Sequence, residues 1–86
     1  MVGIEVERIV QEALTDRIMI DSEFVTDDAI IGKDLLLDGE DIGDLMDCLE
    51  SNLGIRFPEQ LDMDPFLTFS VKQLKFVIVM KVLGVE

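Results

Sequence analysis

From Ile4 to about Arg17 the apolar residues Val6, Ile9, Val10, Ala13 and Leu14 recur at helical spacing, with Glu5, Glu7, Arg8, Glu12 and Asp16 on the other side. The pattern predicts a first helix. From about Ile18 to Leu37 the periodicity breaks, and Asp21-Ser22-Glu23 and Thr26-Asp27-Asp28 supply the polar turn chemistry of a long loop. Apolar pairs interrupt it: Met19 with Ile20, Phe24 with Val25, and Ile30 with Ile31. A loop this long in a small domain is expected to be tacked onto the core by such residues.

Helical spacing resumes at Ile42, Leu45, Met46, Leu49 and Leu53, which form a single stripe. Asp38 is placed to cap this second helix, with Asp41 three residues on and Glu40 adding negative charge where the helix dipole favours it. Gly54 is its expected C-terminal stop. Pro58 to Asp62 predicts a short third helix that ends before Pro65. Ser70 with Gln73 makes a capping-box pattern for a last helix from Val71 to about Leu83, stopped by Gly84. The run from Phe76 to Met80 also has the β-favouring composition of a buried strand, but the cap, the terminal glycine and the length favour helix. Met46, Met63 and Met80 read as adaptable core filling.

Composition narrows what such a chain can do. Its 86 residues allow one modest core and predict a single domain over 1–86. Nineteen acids against seven bases, a formal charge of -12, argue against nucleic acid or an anionic membrane as partner and for a protein with a Lys/Arg-rich surface. At 49% hydrophobic the chain is too apolar for a disordered acidic tail. The N-terminal residues mix acids with apolar residues, unlike a signal peptide, and no apolar run is long enough to span a bilayer, so the expected location is cytoplasmic. Cys48 is the single cysteine and its acidic neighbours disfavour a thiolate. With no histidine, the usual general base and commonest metal ligand are missing, so no enzyme and no metal site are expected. Asp34, Asp38 and Gly39 fall where a calcium loop has its first, fifth and sixth positions, but Leu36 and Leu45 occupy its third and twelfth.

The order of elements, and the stretch Asp34-Leu35-Leu36-Leu37-Asp38-Gly39-Glu40-Asp41-Ile42-Gly43-Asp44-Leu45, resemble an acyl carrier protein. That family's signature reads Asp-Leu-Gly-x-Asp-Ser-Leu at the start of the second helix. The alignment runs without a gap from Asp34 through Gly54-Ile55-Arg56-Phe57-Pro58, which is similar to the family's turn into helix three. The resemblance implies an all-α fold, a small four-helix bundle with a long loop between helices 1 and 2. It also implies that the signature serine carries a 4′-phosphopantetheine arm. Gly39 stands at that position and has no hydroxyl, so no cofactor is expected. Glu40 replaces the following leucine, and Asp38-Gly39-Glu40-Asp41 resembles serine-less, carrier-like bacterial proteins.

In the carrier family the second helix docks on Lys/Arg patches of partner enzymes. Carried over, the docking residues are Asp38, Glu40, Asp41, Asp44, Asp47 and Glu50, six acids with no base between Asp38 and Leu53. The expected function is a non-catalytic interaction module without an attachment serine. The alternative is a working acyl carrier of fatty-acid or polyketide-type synthesis, modified at another serine or derived from a parent with Ser at position 39. Ser22, Ser51 and Ser70 read as polar loop, helix-surface and N-cap residues. If the last helix leaves Phe76, Val79 or Met80 uncovered, a homodimer or a partner groove is the expectation.

Overall fold

The computed structural model describes residues 2–57, 62 and 64–84. Its helices in chain order are α1 (Val2–Glu12), α2 (Gly39–Leu53), α3 (Asp64–Leu67) and α4 (Val71–Val82), so the all-α class holds. α1 places Val6 and Val10 in the core, and Ala13 and Leu14 continue the same stripe. The first helix does not run as an α-helix to Arg17. Past Glu12 it widens into a π-helical turn over Ala13–Arg17, closed by the Ile18 N–H donating to the Ala13 carbonyl at 3.0 Å. Thr15 contributes to this widening: its hydroxyl donates to the Gln11 carbonyl at 3.2 Å, the acceptor an α-helix reserves for the Thr15 N–H. Met19 then turns the chain through a left-handed backbone, φ 69°.

The long connection to α2 holds one short 3-10 turn, Ser22–Phe24, and is fastened as expected, though by one member of each apolar pair. Val25 and Ile31 are buried, Ile20 and Ile30 are half-buried, and Met19 and Phe24 face solvent. Backbone bonds complete the attachment. The N–H groups of Ile31 and Gly32 donate to the carbonyls of Phe69 and Leu67, and those of Val71 and Lys72 to Ala29 and Asp27, all at 2.9–3.1 Å. An antiparallel bridge between Ile30 and Ser70 lies at the centre of this neck. Gly32 has to be glycine here, because a Cβ would sit 2.9 Å from the Leu67 carbonyl oxygen.

The predicted third helix over Pro58–Asp62 lies largely outside the described residues, as does Met63. Pro65 sits in the first turn of α3, where its missing N–H costs nothing. α4 forms as a helix rather than a strand. The Ser70 hydroxyl accepts from the Gln73 N–H at 3.1 Å, and the Gln73 side chain accepts from the Ser70 N–H at 2.8 Å. Four side chains of α2 and three of α4, among them Leu45, Leu49, Leu74 and Ile78, meet α1 in one continuous core. Burying each such side chain stabilises the fold by roughly 1.5–3 kcal/mol before entropy is counted.

Candidate functional site

α2 is the element that presents the predicted docking acids. It starts because Asp38, in extended backbone, accepts from the Asp41 N–H through Oδ1 at 2.9 Å, while Asp41 Oδ2 accepts from the Asp38 N–H at 3.2 Å. Two orphan donors of the first turn are thereby satisfied reciprocally. The helix stops at Gly54, φ 68°, whose N–H donates to the Glu50 carbonyl at 2.9 Å. The Glu50 side chain holds the chain beyond it, its Oε2 accepting from the Phe57 N–H at 2.7 Å.

These bonds divide the six acids. Asp38, Asp41 and Glu50 have structural duties at the two ends of α2, and Asp41 and Glu50 are half-buried. Glu40, Asp44 and Asp47 are exposed, and at 100° per residue they form one stripe at i, i+4 and i+7, opposite the buried face of Ile42, Leu45 and Leu49. Among the described residues the ion pairs are Arg8–Glu12 at 3.0 Å and Lys75–Asp27 at 3.8 Å, so no base pairs with this stripe. Arg56 shares an open depression with Asp47 and Glu50 beside Gly54, beyond ion-pair distance, and softens the field at that end.

Gly39 is the first residue of α2 and half-buried, and a Cβ there, or at Gly43 one turn on, would meet nothing within 4 Å. Its neighbourhood holds one feature that the sequence reading missed. Leu36 is 81% exposed with φ 59°, between Leu35 and Leu37, which are both buried. Alternation could have flagged it, since three consecutive leucines in an extended segment cannot all face inward.

Ser22 and Ser51 are exposed, and Ser70 is the cap of α4. Cys48 is half-buried on the flank of α2 nearest α1, with the Asn52 amide donating to its carbonyl at 2.9 Å and lying 3.2 Å from Sγ. Among the described residues no three Cys, Asp or Glu side chains converge as metal ligands. No described helix is long and apolar enough to cross a membrane. Set against protein-family models, curated proteins and solved structures, the chain matches none.

Proposed function

We propose that this protein is a non-catalytic interaction module similar to an acyl carrier protein, without the covalent arm, that docks through α2 on a Lys/Arg-rich protein surface. The observation that carries this reading is the stripe of Glu40, Asp44 and Asp47, exposed, free of internal bonds and without an ion-pair partner among the described residues. Like charges one turn apart oppose helix formation by a few tenths of a kcal/mol per pair, so the stripe is retained at some cost to stability. Its physical use is long-range steering and a salt-sensitive encounter with a basic surface.

Two local features support the likeness to a carrier. Leu36 stands where the family signature has its glycine, and it adopts the left-handed backbone that glycine tolerates best. Gly39 stands at the serine position, at the head of the helix, with open space where a serine side chain would project. The alternative, a carrier modified at another serine, gains nothing from Ser70, whose hydroxyl is occupied in capping α4.

Mass spectrometry after incubation with coenzyme A and a phosphopantetheinyl transferase tests the missing arm. The native chain is expected to stay unmodified, and the double variant Gly39→Ser/Glu40→Leu to gain one arm. Arm addition to the native chain would overturn the reading, and refusal by the double variant would remove the carrier likeness. Docking is tested separately with Asp44→Lys/Asp47→Lys, which is expected to keep its helicity and abolish capture of the partner. Unchanged capture at low salt would refute docking through α2.

A further inference from the structure

Leu36 combines two burdens that the fold does not require of a leucine. At 81% it is the most exposed of the large apolar side chains described, and its neighbours Leu35 and Leu37 are both buried. The fold does account for its backbone. The Leu37 N–H reaches back to the Ile31 carbonyl at 3.3 Å, and that turn places Leu36 in the left-handed region, φ 59°. The turn does not need leucine, since glycine or asparagine holds this conformation with less strain. A polar residue would serve the outward position equally well.

Its place is at the head of the acidic stripe. Leu36 precedes the cap Asp38 by two residues and Glu40 follows it by two, so their Cα atoms lie within about 14 Å of each other whatever the path between them. From Glu40 to Asp47 the stripe runs about 10 Å along α2. Leu36 and the stripe therefore fit inside one partner footprint of ordinary size, about 800 Å². From Lys33 to Asp47 the chain has six acids and one base.

We infer that Leu36 is the apolar anchor of the α2 docking surface, and that the basic patch of the partner carries an apolar socket for it. The inference rests on the docking reading above and adds the short-range contact that charge alone does not supply. Solvated carboxylates steer a basic partner and set the salt dependence of the encounter, but each exposed ion pair adds little affinity. A leucine moved from water into a socket adds attraction that salt does not screen. Charge also selects the occupant. An apolar contact beside Glu40 and Asp44 repels an acidic surface, a second copy of this chain included, and admits a basic one.

Two synthetic helical peptides of equal charge test the inference, titrated into the full chain at low salt: one of lysine with leucines along one face, the other with alanine at every leucine position. The native chain is expected to prefer the leucine peptide by at least about fivefold. Leu36→Asn is expected to lose that preference, to bind the alanine peptide like the native chain, and to unfold at a midpoint no lower than native. Met19→Asn, at an exposed residue that shares the left-handed backbone, should keep the preference. Asp44→Lys/Asp47→Lys should weaken binding of both peptides alike. The anchor is overturned, with docking still supported by the alanine peptide, if the native chain shows no preference, if Leu36→Asn retains it, or if Met19→Asn also loses it. A lowered midpoint for Leu36→Asn would give the side chain a structural task and is equally fatal. Undiminished binding by Asp44→Lys/Asp47→Lys, or no binding of either peptide by the native chain, overturns docking through α2 and the anchor with it.

Discussion

α2 and α4 begin alike and end in opposite relations to water. Each opens on a reciprocal capping box, Asp38 with Asp41 in one and Ser70 with Gln73 in the other, and each buries one clean apolar stripe in the shared core. Their outer faces then diverge. α2 turns Glu40, Asp44 and Asp47 to solvent, whereas α4 turns Phe76 and Leu83. The inner stripes secure the fold, so the outer residues are free to follow other demands, one suited to long-range attraction and the other to close contact.

The largest effects should come from the inner stripes and should be alike in both helices. Leu49→Ala and Ile78→Ala, both at fully buried positions, are each expected to cost about 2–5 kcal/mol in denaturant unfolding at micromolar concentration. A mild Ile78→Ala beside a severe Phe76→Ala would reverse the assignment of the α4 faces. Next come the caps. Asp38→Ala and Ser70→Ala are each expected to cost about 1 kcal/mol, measured by the unfolding midpoint. Added salt should shrink the cost only for Asp38, whose charge interacts with the helix dipole, and equal salt responses would remove that distinction. The smallest effect is a gain. Gly43→Ala, inside α2 with open space around its Cβ, should stabilise by about 0.5–1 kcal/mol, whereas Gly32→Ala should destabilise because its Cβ collides with the Leu67 carbonyl.

Much of this arrangement is local and so could be read along the chain. The α2 stripe, the Asp38 cap, the left-handed Gly54 and the Ser70–Gln73 box each depend on residues within about one or two turns, and they lie where periodicity and capping chemistry put them. The cap also decided correctly for helix against strand in the Phe76–Met80 run. What escaped depends on distant partners or on competing local bonds. The π-helical turn reflects a hydroxyl competing for a backbone acceptor, and the Glu50 side chain accepts from the N–H of Phe57, seven residues away, beyond the reach of the α2 periodicity. The apolar pairs of the long loop marked where it touches the core, but not which member enters; for Ile30 and Ile31 the fixing bonds run to the distant Phe69 and Leu67 carbonyls, from Ile31 and the following Gly32.

The neck between the long loop and the start of α4 has a kinetic meaning. A small helical protein ordinarily folds through contacts between near neighbours, which makes it fast. Here Asp27 must find Lys72 and Gly32 must find Leu67, so α2 and α3 lie on an excursion whose ends meet only when residues about 35–45 positions apart come together. Closing that loop is the entropic step that local helix formation cannot perform.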